Sequence, residues 1–353
     1  MLKKNNIQKK HLDQKLLKKL SKNFTKIFKE INSDCKSEKK TLNVLSKKFK
    51  FNFHIKDLEK FKKFKSMAII GMGGSILGAD AISGFLEEKL KKKIYFFDNI
   101  DYKKNLKFLK KKKLNKILFL VISKSGETVE TLSNFLSLNL IKKNAKNVIV
   151  ITEKKNNYLY LLSKKLKLFF IEHKNYIGGR YSVMSEVGMV PAYLMGFNIF
   201  KLRKNLQKPI SNKNKSFLKD SSLKLANLLL KNKYNNLIFL NYVPELEKFL
   251  YWCQQLIAES LGKKGKGFLP TISHAPKDHH SLLQLYLDGP KNKIFNIFSI
   301  KQNLAKKVKI KKINKETNFL DNKKLQDVKD AQKTALIEVF KQNNIPFREF
   351  QIR

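Results

Sequence analysis

Apolar residues along this chain gather in short unbroken runs. Between Lys65 and Phe200 five of them, "SMAIIGM", "KIYFFDN", "KILFLVIS", "NVIVIT" and "KLFFIEH", are rich in Ile, Val, Phe and Leu. Segments of helical length, such as "ADAISGFLEEKL" and "TVETLSNFLSLNLIKK", separate them. Strands that are apolar on both faces and joined by helices predict a parallel sheet covered on both sides. The lysine- and asparagine-rich stretch from Lys201 to Lys215 reads as a linker. Beyond it the alternation resumes less regularly, with a helix in "SSLKLANLLLKN" and strands in "NLIFLNY", "KIFNIFSI" and "IPFREFQI". The segment "LEKFLYWCQQLIAESLG" is apolar on most sides, which predicts a helix buried between the domains and ending at Gly262. Residues 1–60 instead read as amphipathic helical turns, lysine-rich and without glycine. The pattern therefore predicts an α/β protein in three parts: an N-terminal helical arm (1–60), a first domain (61–205) and a second (206–353).

Length and composition agree with two packed domains, since 353 residues with 42% hydrophobic content exceed one small core. No apolar run approaches the roughly 18 residues of a membrane span, and "MLKKNNIQKKHLDQKLLKKL" lacks the apolar centre of a secretory signal. Cys35 and Cys253 alone make neither a disulfide framework nor a cysteine metal cluster. These features point to the cytoplasm and away from a membrane.

The formal charge of +47 suggests nucleic acid at first sight. A nucleic-acid face should be local and rich in arginine, yet only Arg180, Arg203, Arg348 and Arg353 stand among 75 basic residues. The lysines spread through every segment beside abundant Asn, Ile and Phe, the residues of A+T-rich codons. The charge therefore reads as compositional drift on solvated faces, with no nucleic-acid partner. Against that background a retained arginine does something that lysine cannot.

Two loops carry candidate chemistry. "GMGGSILGAD", from Gly71 to Asp80, follows the first strand, but its sixth position is Ile76, where a dinucleotide fingerprint needs a third glycine or alanine. Asp98 does end the second strand, so a dehydrogenase reading survives on this loop alone. The third strand changes the balance, because it runs directly into Ser123-Lys124-Ser125-Gly126-Glu127-Thr128 and then a helix. Three hydroxyls, a lysine and the N–H groups of a helix N-terminus suit a phosphate dianion. Gly74 and Ser75 of the first loop are expected to complete that cradle. Ordinary helix capping accounts for one of the hydroxyls but not for all three.

With these residues in place, "GMGGSILGAD", "SKSGETVET", "GGRYSVMSEVG", "AESLGKKGKG" and "DHHSLLQLYLDGP" resemble, in order, the motif blocks of the glucose-6-phosphate isomerase family. The resemblance runs from about Lys65 to Pro290 and implies two SIS-type sugar-isomerase domains, each a three-layer α/β/α unit with a mainly parallel sheet. It also implies reversible interconversion of glucose 6-phosphate and fructose 6-phosphate through an enediolate, with no cofactor and no metal. That chemistry needs a carboxylate base, a cation at the developing oxyanion and an acid/base for ring opening. By position in the motifs, Glu259 is the base, and its place on an apolar helix suggests desolvation. Arg180 steadies the enediolate, Gly179 lets backbone approach the sugar, and Gln255, one turn before Glu259, faces the substrate. The register His280-Ser281-Leu282-Leu283-Gln284 selects His280 over His279 as the ring-opening histidine, and the cluster with His274 is not read as a metal site. In the family this histidine enters the partner subunit's active site, which implies a homodimer.

The family continues beyond the strand resembled by "IPFREFQI" with a segment carrying a ring-opening lysine, and that segment is expected to be missing from this chain. Two other readings stay open: a catalytically impaired sugar-phosphate-binding protein, and an aminosugar-phosphate isomerase on the same fold.

Overall fold

The structure is a computed structural model that describes residues 2–140, 142–301, 316 and 318–352. In chain order its strands are β1 (Leu2–Asn5), β2 (Ser66–Ile70), β3 (Lys93–Phe97), β4 (Ile117–Ile122), β5 (Val148–Thr152) and β6 (Phe169–Glu172), then β7 (Asn236–Asn241), β8 (Leu269–His274), β9 (Lys293–Ile300) and β10 (Phe347–Ile352). The helices are α1 (Gln14–Lys36), α2 (Ile55–Glu59), α3 (Leu77–Phe85), α4 (Tyr102–Lys111), α5 (Val129–Ser137) and α6 (Tyr158–Lys165), followed by α7 (Glu186–Leu194), α8 (Ile199–Arg203), α9 (Lys215–Leu230), α10 (Glu247–Leu261), α11 (Leu283–Leu287) and α12 (Leu325–Gln342). They form two compact bodies. One comprises Thr25–Ser216 with Tyr251–Leu256; the other comprises Met1–Phe24, Phe217–Leu250 and Ile257–Arg353.

In the body built on Thr25–Ser216, five parallel strands lie in the order β3-β2-β4-β5-β6. Every residue of β4 and β5 is buried, as expected of runs with no polar side. The two faces of β2 serve different cores. Met67 and Ile69 pack with Ile76 and Ala79 and with Val187, Val190 and Leu194 of α7. Ala68 and Ile70 pack with Phe135 of α5 and Leu159 of α6. The helix that follows β2 and the helix that follows β4 thus cover opposite faces of the sheet. The paired C-terminal ends of these neighbouring strands, Ile70 opposite Val121, form the switch point at which open α/β sheets bind ligands.

The other body holds the order β1-β10-β9-β7-β8, in which β7 to β10 run parallel and β1 is antiparallel on the edge. Its core joins Ile238, Leu240, Phe295 and Phe347 to Leu336, Ile337 and Phe340 of α12. Each fully buried side chain of this size contributes roughly 1.5–3 kcal/mol. The expected fold class, two mainly parallel α/β sheets with helices around them, is the one observed.

Three local expectations change. β1 arises in the lysine-rich N-terminal residues, where no apolar run announces it, and β8 was hidden by Pro270 near its start, which an edge strand tolerates. The segment read as a linker contains the last three residues of α8, two short 3-10 turns and the first residue of α9. In α10 only Leu250 is buried, while Tyr251 and Leu261 are 39% and 40% exposed, so the expected buried helix is a half-exposed one. Its apolar residues lie around the whole circumference, and the described residues of this chain cover only part of them.

Candidate active site

The loop leaving β4 gathers its hydroxyls at one point. Ser123 Oγ lies 2.9 Å from Thr128 Oγ1 and 3.4 Å from Ser125 Oγ, and Ser125 Oγ lies 3.4 Å from Thr128 Oγ1. The loop is held open by its own backbone: Gly126 N donates to Ser123 Oγ at 3.1 Å and Glu127 N to Ser125 Oγ at 3.2 Å. Thr128 occupies the N-cap of α5, yet its side chain makes no capping hydrogen bond. Its hydroxyl is turned toward the two serines instead, beside the first-turn N–H groups of the helix, where partial positive charge favours an anion. Lys124 is placed differently. Its ammonium donates to the Asn175 carbonyl at 2.8 Å and lies 3.6 Å from Glu153, so it braces the ends of β5 and β6.

The loop leaving β2 forms a second wall. Gly73 has φ +51°, a conformation that favours glycine, and a Cβ there would stand 2.7 Å from Gln255 Nε2 on α10. A Cβ on Gly74 would stand 2.2 Å from the Gly179 carbonyl carbon and 2.6 Å from Arg180 N. Ser182 Oγ donates to the carbonyl oxygens of Gly179, at 2.6 Å, and Gly74, at 3.3 Å, tying the two turns together. On Gly179 itself a Cβ would meet nothing within 4 Å, so its α-carbon faces open space. Arg180 is half-buried, with its guanidinium carbon 4.8 Å from the centre of the Tyr181 ring. Gly74, Gly179, Arg180 and Gln255 are therefore brought together, and Ser75 sits on the same short turn as Gly74.

A buried network anchors the chain just after this turn. Glu186 is wholly buried at the start of α7, where Oε1 accepts a hydrogen bond from Asn52 N at 2.8 Å and Lys174 Nζ stands 3.9 Å away. Burial pushes its carboxyl up from the usual range, while the Asn52 amide and the charges on Lys174 and Arg203 pull it down. Arg203 donates to the carbonyls of Met184, Val44 and Ser46 and stacks on Phe49 and Phe51.

The remaining candidates lie in the other body. Glu259 is exposed on the last turn of α10, so burial does not supply the expected desolvation. Asp278 pins the histidine loop by accepting from Ser273 Oγ at 3.0 Å and His274 N at 2.7 Å. Within that loop His279 Nε2 is 2.9 Å from the buried Tyr242 hydroxyl, and burial, then the neighbouring His280, lowers its pKa. His274 faces Glu247 at 3.8 Å. His280 is exposed at the end of the short turn Lys277–His280. Among the described residues no group of three His, Cys, Asp or Glu side chains could hold a metal ion, and no helix is long and apolar enough to cross a membrane.

Sequence reasoning passed over Trp252, which donates its indole N–H to the Arg180 carbonyl at 3.1 Å. It also passed over the anchors Asn52, Glu186 and Arg203. Arg203 could have been found as another retained arginine, and Trp252 as the single tryptophan of the chain.

A family model described as phosphoglucose isomerase matches residues 28–274. The glucose-6-phosphate isomerase of Methanocaldococcus jannaschii is 36% identical over 286 residues, covering 74% of this chain and 67% of that protein. A probable glucose-6-phosphate isomerase of Methanococcus maripaludis is 35% identical over 302 residues, covering 81% of this chain and 67% of its own length. This chain thus spans about two thirds of the length of those relatives. The crystal structure of a hypothetical protein from Thermus thermophilus shares the fold with a TM-score of 0.77 at 20% identity, covering 99% of this chain and 88% of that one.

Proposed function

Because this chain belongs to the phosphoglucose isomerase family, we propose that it interconverts glucose 6-phosphate and fructose 6-phosphate through an enediolate, with Glu259 as the base. The observation that carries the reading is the switch point of the first sheet. There the hydroxyls of Ser123, Ser125 and Thr128 cluster within 3.4 Å of one another, and the loop from the adjacent strand is pressed against the Gly179–Arg180 turn. Three neutral donors at a helix N-terminus suit a phosphate dianion, and a guanidinium next door suits an oxyanion.

In this mechanism the phosphate anchors the open-chain sugar on Ser75, Ser123, Ser125 and Thr128. Glu259 takes the proton from C2 of the aldose, the C2–H electron pair forms the C1–C2 double bond and the C1 carbonyl pair moves onto O1. O1 then takes up a proton as the C2 hydroxyl releases its own, and Glu259 returns its proton to C1, leaving the carbonyl at C2. Arg180 holds the oxygen that becomes negative, and Gln255, four residues before Glu259 on α10, presents its amide on the same helical face. His280 moves the proton that opens the sugar ring. We assign it to the active site of a second subunit, since it is exposed on a loop whose other histidines face Tyr242 and Glu247. The working form is then a homodimer in the cytoplasm.

A coupled assay on fructose 6-phosphate tests the reading. Wild type should turn over, and Glu259→Gln should lose at least about 10³ of kcat while still binding the sugar phosphate. Wild-type protein that binds the sugar but turns over no faster than Glu259→Gln would sink the enzyme reading. Retained activity in Glu259→Gln would assign the base elsewhere.

A further inference from the structure

The backbone of Arg180 is crowded on its nitrogen side and hydrogen-bonded on its carbonyl side. On the nitrogen side Gly74 approaches so closely that a Cβ there would stand 2.6 Å from Arg180 N. On the oxygen side the Trp252 indole donates to the Arg180 carbonyl at 3.1 Å. One turn further along α10, Gln255 packs on Gly73, the neighbour of Gly74. The helical segment Tyr251–Leu256 therefore meets both turns of the site, through an indole on one and an amide on the other.

The chemistry of the grip is specific. An indole carries one donor and no acceptor, so its bond fixes a direction. It moves on two χ angles, which makes it stiff for its size. A single neutral hydrogen bond adds too little to stability to decide whether the body folds. Positioning is more sensitive, because a misplacement of about 1 Å can cost on the order of 10² in rate.

We propose that Trp252 is a positioning residue for the isomerisation: it fixes the Gly179–Arg180 turn so that the guanidinium meets the enediolate oxygen. This rests on the reading above, in which Arg180 stabilises that oxygen. The interaction matters only once charge develops, so its loss lowers kcat and leaves KM nearly unchanged.

Trp252 is the single tryptophan, so biosynthetic replacement of tryptophan by 3-benzothienylalanine alters this position alone. The analogue keeps the bicyclic shape and removes the N–H, which separates the hydrogen bond from packing; Trp252→Phe provides a genetic counterpart. The expected result for both is a kcat on fructose 6-phosphate about tenfold lower, with KM within about twofold. By calorimetry, affinity for 5-phosphoarabinonate, a carboxylate mimic of the enediolate, should fall by a similar factor, while affinity for inorganic phosphate holds. An unchanged kcat and mimic affinity in the analogue-labelled protein would overturn the proposal, as would equal losses of phosphate and mimic affinity. Arg180→Lys run in parallel separates the two readings. If it loses kcat and mimic affinity while the labelled protein keeps both, only the positioning role falls. If Arg180→Lys is itself silent, the role of Arg180 falls, and the positioning role falls with it.

Discussion

A Cβ on Gly74 would stand 2.2 Å from the carbonyl carbon of Gly179, closer than any non-bonded carbons can come. The two glycines are in contact yet face different surroundings, because a Cβ on Gly179 would meet nothing within 4 Å. Gly74→Ala must therefore displace one of two backbone turns. We expect a stability loss of about 1–3 kcal/mol and a fall in kcat of about 10² through displacement of Arg180. Gly179→Ala should do the reverse, leaving unfolding within about 0.5 kcal/mol of wild type while raising KM, because the new methyl enters the space where the sugar is expected. Urea unfolding beside steady-state kinetics on both variants distinguishes the cases. Equal behaviour of the two would show that the open side of Gly179 does not face substrate.

The hydroxyl cluster allows a similar separation of binding from folding. Thr128 caps α5 without a side-chain capping bond, so Thr128→Val should cost less than the roughly 1 kcal/mol typical of a lost N-cap. KM for fructose 6-phosphate should rise about tenfold, as expected for loss of one donor to a charged phosphate, with kcat little changed. Ser123→Ala is a less clean probe, because Ser123 Oγ also accepts from Gly126 N and its removal strands a buried N–H. Lys124→Met is the contrast, since its ammonium engages Asn175 and Glu153. A larger KM effect from Lys124→Met than from Thr128→Val would move the phosphate site away from the hydroxyls.

The architecture of the first body could be read from the chain because β2, β4 and β5 are buried on both faces and so carry no polar interruption. The hydroxyl cluster was legible for a related reason: three hydroxyls within six residues exceed what capping one helix uses. Elements that draw their stability from distant partners were not legible. β1 is Leu-Lys-Lys-Asn, and it is a strand because β10 offers an edge to pair with. Glu259 was expected to be desolvated because its helix is apolar, but hydrophobic composition does not say which residues of a helix find a partner. The grip of Trp252 on Arg180 joins residues 72 positions apart, a separation at which local pattern carries no signal.

The retained arginines carry a prediction of their own. Singling out arginine in a lysine-rich chain marked Arg180, yet Arg203 and Arg348 turn out to be structural. Arg203 donates to three backbone carbonyls, and Arg348 is 6% exposed, donating to Asn296 Oδ1 at 2.9 Å and Ser221 Oγ at 2.7 Å. Burial pulls both guanidinium groups down to about 10. An ammonium cannot spread its donors over such a fan, so Arg203→Lys and Arg348→Lys should each lose about 1–3 kcal/mol. Thermal unfolding of the two variants measures this. Wild-type stability in both would mean that arginine persisted there without a physical reason.

His173 gives the fold a pH dependence whose sign can be worked out. It is 1% exposed at the end of β6, with Nδ1 donating to the Lys174 carbonyl at 2.9 Å. Burial lowers its pKa from 6.5 to about 4. The folded protein therefore holds this ring neutral at pH values where the unfolded chain protonates it. Its contribution is complete above pH 6.5 and is lost as pH falls toward 4, because the unfolded state binds the extra proton in that window. At 1.36 kcal/mol per pKa unit the ceiling is about 3 kcal/mol. Glu186 works against this slope, since its carboxyl is raised by burial, and the half-buried His11 and His279 add to it. Those contributions cancel in the difference between wild type and His173→Gln, whose amide can still donate to the Lys174 carbonyl. Urea unfolding of both proteins at pH 7, 6, 5 and 4 should show wild type losing stability relative to His173→Gln as the pH falls, by up to that ceiling. A difference that stays flat across this range would mean that His173 reaches solvent easily enough to protonate in place, and its burial would then contribute nothing to acid sensitivity.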